Sequence, residues 1–293
     1  MYLMSESRIY QFKALAVLIV WTLALAALGW GIAGRTGLLV AASISIVGCA
    51  GIYLIADRVV LRMHGARRIY ERHAPGLFKL VRELSRRADL SVPRMYLISD
   101  QGANAFATGL NVRRKAIAIS TGLLGLLDGE ELAAVIAHEF GHLRKGDTLL
   151  MTVLAAVTGA LISPANVFVW TRWGNPYRLN GHALLGTLIA PLIAIIVRLF
   201  IPGSREYWAD EYGARLIGDA SPMARAIRKI DSERSRVPFL SASPATAHLF
   251  ICNPFSSTQP KRFFETHPSV RERLDRLEAL ALWGRAACLR SIR

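Results

Sequence analysis

The chain has 293 residues, 53% of them apolar, and Lys plus Arg outnumber Asp plus Glu to a formal net charge of +15. That is enough for one or two domains with a sizeable core, and the three cysteines, Cys49, Cys252 and Cys288, are too far apart and odd in number for a disulfide framework or a zinc knuckle. The basic residues form no stripe interleaved with aromatics, and no finger or helix-turn-helix signal accompanies them, so nucleic acid is not the expected partner.

In chain order, Ala14–Gly34 and Thr36–Ala56 each lack any charge and are each long enough to cross a bilayer as a helix. Only Arg35 and its neighbours separate them, so residues 1–57 read as an N-terminal transmembrane hairpin. A cleaved signal peptide does not fit, because the second run follows at once. Arg58–Tyr70 and Leu77–Leu90 read as helices broken near Pro75–Gly76, with Leu77, Leu80, Val81 and Leu84 at helical spacing. Arg94–Ile98 is an expected strand. Asn104–Ala107 and Ala116–Ser120 are expected to pair across the turn containing Asn111–Lys115. Thr121 is placed to cap a short helix, Gly122–Leu127. A second helix starts near Asp128, with Glu131 three residues on in capping-box spacing. It runs through AAVIAHEFGHLRKGD, residues 133–147, and closes the segment 58–147.

Two more charge-free runs follow, Thr148–Thr171 and Leu179–Val197. They carry Ser163, Pro164 and Asn166, then Asn180, His182 and Pro191. Polar groups and prolines at membrane depth need neighbouring protein to satisfy them. Residues 148–200 therefore either span as a second hairpin or form one partly buried against the domain. With four spans, the N-terminus and both charged segments lie on one side, and the Lys/Arg excess makes that side cytoplasmic. The +15 charge then reads as positive-inside bias plus attraction to anionic lipid. In the last segment, 201–293, Ser204–Ile217 and Pro222–Arg236 read as helices. Val237–Glu265, with several Pro and Ser and no period, reads as an irregular ordered segment or a mobile lid. Pro268–Leu282 is an amphipathic helix before a basic tail.

The chemistry sits in HEFGH. On a helix, residues i and i+4 share a face, so His138 and His142 can present two imidazoles to one metal. Glu139 then lies beside the metal without binding it, where it can take a proton from the attacking water. The five residues alone also fit a surface helix with solvated histidines. The apolar flanks Leu132, Val135, Ile136 and Phe140 argue for burial, where two histidines and a glutamate need partners. A catalytic zinc wants a third ligand. SREYWADEYGA, residues 204–214, offers Glu206, with Asp210 one turn on to hold a histidine N–H, unless this is only a solvated charged helix. His64, His73, His182 and His248 are rival ligands without a helical partner at i+4.

MHGARRIY, GANAFATG, STGLLGLLDGEELAAVIAHEFGHLRKGD, SREYWADEYGARL, PATAHLFICNP and FETHPSVRERL occur in that order. Over about Asp57 to Leu282 the chain resembles the HtpX-type membrane metalloproteases, bacterial relatives of the CAAX prenyl protease. The resemblance implies a mostly α membrane protein: a zincin-like α+β catalytic domain with a small β-sheet and an HExxH helix, interrupted by the second apolar hairpin. It implies one Zn2+ per chain on His138, His142 and Glu206, with Glu139 as general base and Asp210 behind a ligand. His267 and Arg273 match a pair near the active site thought to contact substrate or oxyanion. Asn104, Ala105 and Phe106 match an edge strand bordering the cleft. Phe140 stands where the family often has an aliphatic residue, which leaves the catalytic set intact. From the residues alone, Asn104–Thr108 is an edge or a plain core hairpin, and His267 is an oxyanion donor or a helix cap. The implied function is a zinc endopeptidase of the inner membrane, multi-pass, acting from the cytoplasmic face on misfolded or membrane proteins in quality control. The alternative is a catalytically silent zinc-binding membrane scaffold or regulator. A narrow prenyl-protein processing enzyme would need more spans than this chain has.

Overall fold

The computed structural model describes residues 2–110, 114–159, 197, 200–243, 245–254 and 267–291. The first helix, α1, covers Tyr2–Met63 and is interrupted at Ala33 and Gly34; Gly34 adopts φ 57 and ψ −139, a conformation open essentially to glycine. The chain doubles back there. Ser45 Oγ donates to Thr22 Oγ1 at 3.0 Å across the two arms. The arms meet so closely near the turn that a Cβ on Gly29 would lie 2.4 Å from the Gly37 carbonyl. Much of their apolar surface faces outward, with Ile32 78% and Val47 73% exposed.

α1 ends at Met63, and Gly65 at φ 59 turns the chain. The helix expected over Arg58–Tyr70 is therefore cut short, and Arg67–Arg68 is instead a two-residue strand, β1. α2 covers Pro75–Ala88, with Pro at its start where a missing N–H costs nothing. The strands β2 Arg94–Ile98, β3 Ala105–Thr108 and β4 Ala116–Ser120 follow. Their order is β1-β2-β4-β3. β1/β2 and β3/β4 are antiparallel and β2/β4 is parallel, with Ala105 opposite Ile119 and Met95 opposite Ile117. α3, Thr121–Leu126, is capped by Ser120, whose hydroxyl accepts from the Leu123 N–H. The cap is thus one residue earlier than expected, since the Thr121 hydroxyl donates to the Asp100 carbonyl instead.

α4 covers Gly129–Lys145 and opens on the Asp128/Glu131 capping box. α5 starts at Thr148 and is helical to Gly159, where the described residues pause. Its side chains are almost all buried. The rest of the second apolar pair, including His182 but not the buried Val197, lies outside the described residues. α6 is Ser204–Ile217, α7 is Ser221–Glu233 and α8 is Val270–Ser291. The period-2 alternation of the strands divides two cores. Met95, Ala105, Ala107, Ile117 and Ile119 face the core built with α2, α4, α6 and α7. Ile98, Phe106 and Ala118 face a second core shared with α1 and α5.

Candidate metal centre

α4 and α6 cross closely because their contact residues are small. A Cβ on Gly213 would meet the His138 backbone N at 2.9 Å, and one on Gly141 would meet Ala209 Cα at 3.1 Å. That approach brings Glu206 of α6 to the histidines of α4. His138, His142 and Glu206 offer ligand atoms all within 4.8 Å of one another, and all three are buried. The two Nε2 atoms are 3.2 Å apart. Glu206 Oε2 lies 3.5 Å from His138 Nε2, and Oε1 lies 3.7 Å from His142 Nε2.

Each imidazole is held from behind. His138 Nδ1 is 2.9 Å from Asp210 Oδ1 and His142 Nδ1 is 3.0 Å from Asp147 Oδ2. With a carboxylate accepting at Nδ1, both Nε2 lone pairs turn inward. Each carboxylate is backed by a buried arginine. Arg273 donates Nε to Asp210 Oδ2 at 2.8 Å and Nη2 to Oδ1 at 2.7 Å. Arg205 lies 3.9 Å from Asp147 and 3.0 Å from Glu206 Oε1, the latter too misaligned for a hydrogen bond, and it donates to the His248 carbonyl.

This donor set fits a divalent cation. Among the described residues, both Glu206 oxygens are buried without a hydrogen-bond donor, and two Nε2 atoms converge on them. A metal would satisfy all four; without one, a proton must sit between the rings and the carboxylate stays bare. Two imidazoles and a carboxylate suit zinc. Beside them, Glu139 is 1% exposed; among the described residues neither oxygen makes a well-aligned hydrogen bond, and its nearest backbone donor is the Ala107 N–H. Burial pushes the Glu139 carboxyl up, against the lowering pull of His138 and His142. Burial disfavours the imidazolium of His138, but Asp210 and Glu206 outweigh it and raise this ring to about 9. Burial also opposes the charge on Glu206, yet Arg205 and His267 hold its carboxyl well below the usual range. Asp210 is lowered likewise, with Arg273 overcoming burial.

The other expected residues fall as follows. Asp210 sits behind His138, as described. His267 has Nε2 3.1 Å from the Ala247 carbonyl and Nδ1 3.7 Å from Glu206. Since Nε2–H must donate to that carbonyl, only a doubly protonated ring could also donate from Nδ1. Arg273 is 1% exposed, and its guanidinium is committed to Asp210 and, at 2.5 Å, the Ile251 carbonyl. The resemblance implies a contact with substrate or oxyanion; in this structure the guanidinium is turned to Asp210 and Ile251. β3 lies at the edge of the sheet. However, Asn104 Nδ2 donates to the Cys252 carbonyl, the Ala105 carbonyl accepts from Ile251 N–H at 3.2 Å, and Phe106 packs against His64 and Phe250. All three are tied into the protein's own chain, and the outward backbone of β3 next to Glu139 belongs to Ala107.

The rival histidines have other work. The His64 ring packs among Phe106, Phe239 and Phe250, with Nδ1 on the Ser241 carbonyl at 2.9 Å, and burial lowers it to about 4. His248 Nε2 meets the Met151 carbonyl, and burial lowers it to about 3. His73 is exposed on a 3-10 turn. The described part of Val237–Glu265 is a packed strap, with carbonyls of Ala247, His248, Ile251, Cys252 and Asn253 all accepting from side chains. Residues 255–265 lie outside the described residues. Asp147 and Arg205 are site residues that sequence reasoning missed. The signal for Asp147 was its place five residues after His142, just past the helix-ending Gly146.

A family profile described as Peptidase family M48 matches residues 71–281. Curated relatives named Protease HtpX homolog include one from Pelotomaculum thermopropionicum, 40% identical over 266 residues, covering 87% of this chain and 93% of that one. Another, from Sulfurovum sp., is 38% identical over 273 residues, covering 92% and 99%. Among solved structures, "Crystal Structure of S. mikatae Ste24p" matches with TM-score 0.50 at 18% identity, covering 94% of this chain and 67% of that one. That last likeness is one of fold.

Proposed function

The chain belongs to peptidase family M48 and is a metalloprotease, and on that premise we propose that it is a membrane-embedded zinc endopeptidase working from the cytoplasmic face. The observation that carries the reading is the buried Glu139 carboxyl, with no well-aligned hydrogen bond among the described residues, beside the converging His138, His142 and Glu206. These three would hold the ion. Bound zinc supplies a Lewis acid for the scissile carbonyl and lowers the pKa of water. Glu139 accepts a proton from the attacking water and returns it to the leaving amine. Burial raises its pKa above the ordinary carboxylate value, the direction that favours a group which both takes and gives a proton. Asp210 and Asp147 hold the ring nitrogens that face away from the ion, and Arg273 keeps Asp210 ionised. His267, when doubly protonated, lies close enough to Glu206 to aid the developing oxyanion.

The two arms of α1 each have the length to span a bilayer, and their exposed apolar surface supports insertion. The apolar α5 begins two residues past the turn at Gly146 that ends α4, which places the metal centre close to the membrane surface if the second apolar pair inserts. Its substrates are then misfolded or membrane proteins whose chains reach that surface, in keeping with quality control. An extended substrate strand would pair along β3 from Ala107 onward. The test uses zinc-depleted protein in detergent, with an unfolded protein as substrate. Wild type should yield fragments only when zinc is restored, and Glu139→Ala none. Zinc uptake without fragments from wild type would favour a silent scaffold instead.

A further inference from the structure

A second feature lies away from the metal. Where β4 begins, Arg114 donates to the Leu54 carbonyl on the returning arm of α1. The next residue, Lys115, lines a cavity of about 210 Å³ together with, among others, Ser7, Gln11, Arg144, Thr148 and Leu149. Ser7 and Gln11 stand in the turns of α1 just before its charge-free run begins at Ala14. Thr148 and Leu149 open the apolar α5. On the membrane reading, Ser7 and Gln11 put the cavity where the first arm of α1 leaves the apolar zone, on the side of the catalytic domain, while the described part of α5 is buried in the protein itself.

Its charge is one-sided. Lys115 is about half buried, and among the described residues no carboxylate pairs with it; its charged neighbour is Arg144, and burial and that like charge both push its ammonium pKa down. Arg144 is anchored by Nη1 to the Ala88 and Asp89 carbonyls, so its guanidinium is fixed in place. Two cations facing one partly closed space are costly unless an anion joins them. The Ser7 hydroxyl and Gln11 amide add neutral donors, and a tetrahedral phosphate fits the volume. We propose that this cavity binds a phosphate group, supplied by the headgroup of an anionic phospholipid in the leaflet on the catalytic side. Cationic pockets beside membrane helices are suited to such headgroups. The proposal rests on the membrane reading above.

The experiment is a titration of the detergent-solubilised full chain with phosphatidylglycerol, phosphatidylcholine or inorganic phosphate, read by the thermal unfolding midpoint. Phosphatidylglycerol should raise the midpoint saturably and phosphatidylcholine should not. Lys115→Met, which removes a side chain with no hydrogen bond or ion pair among the described residues, should raise the half-saturating concentration about fivefold or more. Arg215→Met, at a 76% exposed side chain, should leave it unchanged. Inorganic phosphate acting as well as the lipid would keep the phosphate site and assign it a soluble source. Equal effects of both lipids, no loss in Lys115→Met, or an equal loss in Arg215→Met would overturn the site. Flotation with cell membranes is scored separately: a chain that fails to float sinks the membrane reading and the lipid source together. A floating chain indifferent to phosphatidylglycerol and phosphate sinks the site alone.

Discussion

Replacing Asp147 and Asp210 by alanine, one at a time, separates two carboxylates that look equivalent. Each accepts from the Nδ1 of one histidine, at 3.0 and 2.9 Å. Losing such a partner frees the ring and weakens its Nε2 donor, which costs about 10–100-fold in metal affinity, or about 1.4–2.7 kcal/mol. Asp147→Ala should show that loss and little else, because Arg205 keeps Glu206 at 3.0 Å and the His248 carbonyl. Asp210→Ala should behave differently. Arg273 is 1% exposed and loses a bidentate partner, retaining only the Ile251 carbonyl and Glu206 at 3.7 Å. An orphaned buried charge costs about 3–5 kcal/mol, a large share of a typical total stability of about 5–15 kcal/mol. The assays are zinc competition against a chelator of known affinity and thermal unfolding of the metal-free protein. Wild-type zinc affinity in Asp147→Ala, or equal destabilisation by the two substitutions, would refute this reasoning.

Gly213→Ala should weaken both stability and zinc binding, since the new methyl meets the His138 backbone at 2.9 Å and forces α4 from α6; overpacking of this kind costs about 1–3 kcal/mol, and unchanged zinc affinity would show that the crossing does not set the site. The His64 prediction concerns pH. Folded His64 stays neutral down to about 4, whereas the unfolded ring takes its proton near 6.5. Stability is therefore full above 6.5 and is lost as pH falls from 6.5 to about 4, by up to about 3 kcal/mol. Unfolding midpoints between these pH values should fall for wild type and fall less for His64→Phe; identical slopes would contradict the assignment. The flatter variant still declines, because His248 also titrates abnormally low.

What the sequence made legible was local. The Asp128/Glu131 box needs only a spacing of three, and the stacking of His138 with His142 needs only the helical period. Glu206 and Asp210 also stand one turn apart on α6, but that spacing fits a solvated charged helix equally well, and their assignment to the site came from the resemblance. The misses were long-range. Asp147 was visible as the end of the metal helix, but its bond to His142 depends on a turn at Gly146, with φ 78. Arg205 is buried by α5 and the strap, at Met151 and the His248 carbonyl, and no periodicity signals that. The strap itself has no period because its carbonyls are satisfied by side chains from elsewhere in the chain, not by a ladder. β1 escaped notice because two arginines carry no strand pattern, and Gly65 ended the preceding helix early.

The most direct test of the central claim is Glu139→Gln, which keeps the shape of the side chain and removes the base. Zinc content per chain and cleavage of an unfolded protein substrate are measured on the same preparation, beside wild type. The account predicts wild-type zinc content, since Glu139 is not among the three ligating residues, and a fall in cleavage rate of about 100-fold or more, the usual contribution of a general base. Full zinc content with cleavage at the wild-type rate would mean that Glu139 does not handle the proton, and the mechanism proposed for this centre would be wrong.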